Sequence, residues 1–244
     1  MVARVPGTVL VTDGGRTASE SAGGVVVLVG GPAAGKSSQA RLLSGRLGVP
    51  RIGSGDILRE HLRKRTRPGR AARSYVERGE LVPDDLVSDL VLTRLSQPDA
   101  GRGAVLDGFP RTVWQAQTLA RRLHFLESRV SAVFLLDLPP DVLVTRLTGL
   151  WRIPSMDKPM VQSESVYVDG HSYASLRGRP DDRPDVAKRR VDAYLAQTWP
   201  VVSYYEARGL LHRIDGSQSV DRVQQQIVEA LRPQPHEVEA RAGQ

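Results

Sequence analysis

Lys36 stands where this chain's chemistry is easiest to read. It lies in Gly30-Gly-Pro-Ala-Ala-Gly-Lys-Ser37, where four residues separate two glycines and Lys-Ser follows the second. That is the spacing of a phosphate-cradling P-loop. Glycine lets the backbone curl so that its N–H groups face an anion. A helix start adds unpaired N–H groups and the positive end of its dipole. Gly30, Gly31, Pro32, Ala33, Ala34, Gly35, Lys36, Ser37 and Ser38 are therefore the candidate nucleotide site. Lys36 would reach the β- and γ-phosphates, and Ser37 or Ser38 would help hold Mg²⁺.

Ala104-Val-Leu-Asp-Gly-Phe-Pro-Arg111 is the second candidate. A short apolar run ends in Asp107, an acid suited to Mg²⁺ across from the loop. Arg111 follows on a glycine–proline turn and could reach a phosphate. Taken alone, Asp-Gly is only a turn signal.

These groups need rigid elements to place them. Val25–Val29, Val49–Ile52, Ala104–Leu106, Ala132–Leu136 and Leu210–Ile214 read as short strands between helical patterns. That alternation predicts a mostly parallel sheet covered by helices. Ser38–Leu47 reads as a helix with Ala40, Leu43 and Leu47 on one face and Gly48 at its C′ position. Thr112 and Gln115 have the spacing of a capping box. Arg183-Pro184 opens a further helix with Val186, Arg190, Ala193 and Tyr194 on one face. Ser54 to about Pro83 is helical and charged, and Leu147 to about Asp182 has no helical period. Both read as insertions, and long insertions over a site are often lids.

The chain has 244 residues and 40% hydrophobic residues, enough for one large domain with a real core. No cysteine is present. Disulfides and thiolate metal sites are thus excluded, and the oxidising compartments lose their usual signature. No apolar run approaches the ~20 residues of a membrane span, and residues 1–24 show no signal-peptide core. A cytoplasmic protein is the default expectation. The net charge of +7 suits nucleic acid or nucleotides. The run Arg63-Lys-Arg-Thr-Arg-Pro-Gly-Arg70 reads as a solvated face, so no nucleic-acid partner is expected. The histidines lack ligand spacing.

With Gly30–Ser37, the string Asp107-Gly-Phe-Pro-Arg111 and the trailing Gln115 resemble the adenylate kinase family of nucleoside monophosphate kinases. Ile52-Gly-Ser-Gly-Asp-Ile-Leu-Arg59, Gly79-Glu-Leu-Val-Pro-Asp-Asp85, Arg146-Leu-Thr-Gly149, Arg179-Pro-Asp-Asp182, Arg190 and Ile214-Asp-Gly216 extend the likeness over roughly residues 25 to 232. The resemblance implies a P-loop kinase fold, α/β, with a five-stranded parallel sheet flanked by helices. It implies a core of 25–53, 84–146 and 183–232, a helical insert at 54–83 that binds the nucleoside monophosphate, and a lid at 147–182. Residues 1–24 and 233–244 are expected to be flexible extensions. It also implies γ-phosphoryl transfer from ATP to AMP with Mg²⁺, giving two ADP, in a monomer.

By position, Lys36, Arg146, Arg179 and Arg190 would hold the transferring phosphates. Arg59 and Arg111 would hold the acceptor phosphate. Ser54, Gln115 and the backbone of Glu80, Leu81 and Val82 would recognise the acceptor base beside Gly108. Ser37 and Asp107 are the metal-side candidates. The sequence departs from the family's pattern at Ala33, usually Gly, at Ser37-Ser38, usually Gly-Thr, and at Ser54, commonly Thr. Leu150 stands where the family places an arginine. Arg152 could substitute for it, and Trp151 could stack on the donor base. Leu150 keeps two other readings in view: a kinase for a different nucleoside monophosphate or small phosphate acceptor, and a nucleotide-binding regulator with an impaired lid.

Overall fold

The computed structural model describes residues 24–147, 167–168, 171–172 and 184–232. The expectations for the two terminal extensions, for Leu150, Trp151 and Arg152, and for Arg179 to Asp182 fall outside them.

Strand β1, Val25–Gly30, sits at the centre of the sheet. Its side chains alternate between two cores, as the period of a strand dictates. Val25, Val27 and Val29 enter one cluster and Val26 and Leu28 the other. Burial on both faces is why this segment is a continuous apolar run. Helix α1, Lys36–Leu47, follows the loop and leads to β2, Arg51–Gly53. Helices α2, Ser54–Arg63, and α3, Arg67–Arg78, follow β2 directly. Helix α4, Asp84–Leu95, returns the chain to β3, Ala104–Asp107. Helix α5, Val113–Phe125, β4, Val130–Asp137, and α6, Pro140–Leu147, come next. Strands β5, Tyr167–Val168, and β6, His171–Ser172, make a separate antiparallel pair. Helices α7, Pro184–Ala193, and α8, Trp199–Glu206, then precede β7, Leu211–Asp215, and α9, Val220–Ala230.

The main sheet has five strands in the order β2-β3-β1-β4-β7, and every pairing in it is parallel. Helices α4, α5 and α8 cover one face, through Val91, Leu119 and Val202 among others. Helices α1, α6, α7 and α9 cover the other, through Leu43, Leu143, Val191 and Ile227. This is the expected helix-flanked parallel α/β sheet.

Element ends moved by one or two residues. The strand expected at Val49–Ile52 begins only at Arg51. Gly48 caps α1 in the left-handed region, and Val49 still donates its N–H to Ser44 O. The helix-ending turn therefore claims Val49 before the sheet can. Between α7 and α8 the helix widens into a π-turn, Tyr194–Thr198. Pro200 lacks the N–H that would continue α-type bonding there. Tyr194 and Thr198 turn toward the cleft described next.

Candidate active site

The parallel register lines up the C-terminal ends of β1, β2 and β3. Asp107 lies beside Leu28 on one side and Gly53 on the other. Clefts at the carboxyl ends of a parallel sheet, where strand order reverses, are where such folds bind ligands. Here the cleft has a volume of about 220 Å³. Its walls bring together Gly30, Pro32, Ala33, Lys36 and Ser37 of the loop with Ser54, Arg59, Glu80, Leu81 and Val82 from the stretch between β2 and α4. Asp107, Gly108, Arg111, Gln115 and Arg190 complete it. Residues 79 apart in the chain, Lys36 and Gln115, thus face one space.

The loop is held in an unusual backbone shape. Gly35 has φ 93° and Ala33 has φ 60°. The left-handed region costs an L-residue about 1 kcal/mol or more, whereas glycine enters it freely. That supplies a physical reason for the glycine preference at the Ala33 position. The Lys36 ammonium donates to Gly31 O at 2.6 Å and Gly30 O at 2.9 Å, so it is folded onto its own loop. Burial lowers its pKa to about 8; Asp107 opposes that shift, while Arg111 and Arg190 reinforce it.

Arg111 lines the cleft with its side chain exposed but ringed by protein groups. Loss of bulk water, then the nearby Arg190 charge, hold its pKa below the usual arginine range. It stays a cation at any physiological pH. Its Nε donates to Gly108 O at 2.8 Å, which ties the guanidinium to the turn after β3 at the cleft wall. Arg59 is ion-paired with Asp56 on the same turn of α2.

Ser54 and Gln115 are both buried, at 2% exposure. The Ser54 hydroxyl donates to Gly108 O at 2.7 Å, so its proton is already committed. Only its lone pairs remain for a ligand. Gln115 departs in detail from a reciprocal capping box. Thr112 Oγ1 accepts the Gln115 N–H at 3.2 Å as expected. The Gln115 side chain, however, accepts from Arg111 N at 2.7 Å, one residue beyond the box position. Its Nε2 donates to Asp84 Oδ1 at 2.7 Å. A carboxylate only accepts and an N–H only donates, which fixes the amide's orientation and leaves one donor and one acceptor position unused.

Asp84 and Arg51 were missed by the sequence reasoning. Asp84 also accepts from Thr112 Oγ1 at 2.7 Å, and Arg51 ion-pairs with both Asp56 and Asp107. Neither role leaves a local signal, since their partners come from other elements. Of the remaining predicted residues, the described ones lie behind or beside the cleft. Gly31, Ala34, Gly35 and Ser38 belong to the loop and the first turn of α1 without lining the cleft surface. Arg146, at the end of α6, is not among the cleft-lining residues. It lies near Asp215, whose pKa is lowered by Ser217 and Gln218 hydrogen bonds and, more weakly, by Arg146.

Among the described residues no three His, Cys, Asp or Glu side chains converge as a metal cage. Ser37 and Asp107 both line the cleft and offer hard oxygens. That donor set suits an ion held mostly by phosphates and water, as Mg²⁺ usually is.

A glycine loop between a central parallel strand and a helix, facing a cleft rich in cations, defines a P-loop kinase of the α/β class. The family model described as adenylate kinase matches residues 28–210. The adenylate kinase of Methanocella arvoryzae is 41% identical over 210 residues, covering 84% of this chain and 97% of its own. That of Moorella thermoacetica is 42% identical over 210 residues with the same coverage. That of Kocuria rhizophila is 40% identical over 206 residues, again covering 84% of this chain and 97% of its own. The chain belongs to the adenylate kinase family.

Proposed function

We infer that this protein transfers the γ-phosphoryl group of ATP to AMP and releases two ADP. The carrying observation is family membership over nearly the full length of the relatives. The cleft is chemically suited to the reaction. Both substrates are polyanions, and the transferring group spreads charge over its oxygens in the transition state. Catalysis then depends on positioning and preorganised cations, with no covalent intermediate.

In this reading Lys36 leaves the Gly30 and Gly31 carbonyls for the β- and γ-phosphates. Arg111 and Arg59 hold the acceptor phosphate, and Arg190, joined by Arg146 and Arg179, meets the transferring group. Ser54, the free positions of Gln115, the backbone at Glu80 to Val82 and Gly108 read the acceptor base. Ser37 and Asp107 stand on the metal side. Mg²⁺ would neutralise phosphate charge when bound. The insertion at 54–83 and the segment 147–182 act as closing elements that exclude water. We extend the reading to a cytoplasmic monomer, as the family resemblance implies.

The direct test is ³¹P NMR of the purified protein with ATP, Mg²⁺ and each common nucleoside monophosphate in turn. Transfer to AMP, forming ADP, is the expected result. Transfer only to another acceptor would replace the substrate. Nucleotide binding without any transfer would favour a regulator.

The lowered pKa of Lys36 has a measurable consequence. In the free protein Lys36 is charged below about pH 8 and loses its proton above it. A bound phosphate favours the charged form and raises that pKa again. ATP affinity therefore falls as pH rises through about 8, and each ATP bound above that pH takes up a proton. Calorimetry at pH 9 in two buffers of different ionisation enthalpy reads the uptake. Equal heats in both buffers would refute it.

A further inference from the structure

We propose that Arg51 is a built-in counter-cation for Asp107 and, through Asp56, couples that carboxylate to the acceptor-side Arg59. The proposal rests on the reading of Asp107 as the metal-associated acid and Arg59 as a phosphate ligand.

Arg51 opens β2, beside β3, which ends in Asp107. Its Nη2 donates to Asp107 Oδ2 at 3.2 Å and also to Asp56 Oδ2. The other oxygen of Asp56, Oδ1, accepts from Arg59. Arg59, Asp56, Arg51 and Asp107 thus form a line of alternating charge that runs from one wall of the cleft to its floor. The inner pair is shielded: the Arg51 side chain is 19% exposed and that of Asp107 is 7% exposed. Solvent and salt screen such a pair much less than a surface pair. The Nε of Arg51 is buried without a partner. A guanidinium placed only to brace the fold would be expected to have that N–H satisfied. Here the side chain is held by the two carboxylates.

A divalent ion that approaches Asp107 meets this fixed positive charge. The line also gives Arg51 a release. An acceptor phosphate draws Arg59 away from Asp56. Asp56 then holds Arg51 more fully, and Arg51 loosens its hold on Asp107. Arrival of the acceptor therefore improves the metal site, and by linkage the metal improves acceptor binding by the same factor.

The test uses the non-transferable β,γ-imido analogue of ATP. Its dissociation constant is measured by calorimetry with and without Mg²⁺, and each again with AMP present. The ratio of the metal-free to the metal-loaded constant reports what the metal adds. Arg51→Gln should raise that ratio by about fivefold or more, the lower end of typical coupling between sites. It should also abolish the effect of AMP on the ratio. Arg51→Lys, which keeps the charge, should stay near wild type. A residue that merely braced Asp107 would act in the opposite direction, because its loss would disorder the carboxylate and lower the ratio. An unchanged or lower ratio in Arg51→Gln of normal thermal stability overturns the proposal. Should that variant not fold, Asp56→Asn breaks the relay and leaves Arg51 against Asp107. A persistent AMP effect in Asp56→Asn is equally fatal. Failure of the analogue to bind the wild type would instead remove the underlying nucleotide-site reading.

Discussion

Lys36→Ala should reduce turnover by about three orders of magnitude or more, with the fold intact. That is the scale seen when a preorganised cation or donor facing transition-state charge is lost. The structure adds a second, less obvious expectation. Buried in the free protein, the ammonium is costly to keep charged, which is why its pKa falls to about 8. Its removal takes away that cost and the two contacts to Gly30 O and Gly31 O. The melting temperature should therefore stay level or rise. A stabilised, inactive variant is the pattern of a site that trades stability for function. Initial rates with ATP and AMP, together with a thermal melt, settle both points. Near-normal turnover would remove Lys36 from the chemistry. Joint loss of activity and stability would make it a structural residue.

Gly69→Ala should cripple acceptor binding from a position that meets no substrate. Gly69 lies in the first turn of α3, where that helix crosses α2. A Cβ there would sit 2.1 Å from His61 O and 2.4 Å from His61 C. These are backbone atoms, so no rotamer change can relieve the clash. The two helices must separate. Overpacking of this kind costs about 1–3 kcal/mol. The displaced helix α2 carries Ser54, Asp56 and Arg59, and α3 leads into Glu80 to Val82. The AMP KM should rise by about tenfold, at about 1.4 kcal/mol per decade. Affinity for ATP, for which we propose the loop after β1, should change little. Exposed Ala71→Gly is the control, since it weakens the same helix by only about 1 kcal/mol and adds no atom. An unchanged AMP KM in Gly69→Ala would show that the crossing tolerates expansion.

The fold was legible because its signals are local. Val25–Val29 is apolar without interruption because both faces of a central parallel strand are covered. The loop announced itself through glycine spacing, and Gly48 through the left-handed cap it provides. Errors stayed at element ends, as at Val49, where a helix cap and a strand compete for the same residue. The candidate site was legible to the extent that its residues sit in strings with fixed spacing, as Lys36, Asp107 and Arg111 do. Gln115 shows the limit. Its spacing from Thr112 suggested a capping box, yet the amide is claimed by Arg111 N and Asp84.

The sequence alone therefore determined the class of sheet, the phosphate loop and the order of the cationic motifs, because these depend on side-chain period and backbone permissiveness within a few residues. Only the tertiary structure decided which charges meet. Parallel pairing of β2 with β3 brings Arg51 to Asp107 across 56 positions, and packing of α4 on α5 brings Asp84 to Gln115 across 31. Hydrogen bonds and ion pairs of that separation depend on distances in space that the order of residues along the chain does not encode locally. The lowered pKa of Lys36 has the same origin, since desolvation exists only once the cleft has closed around it.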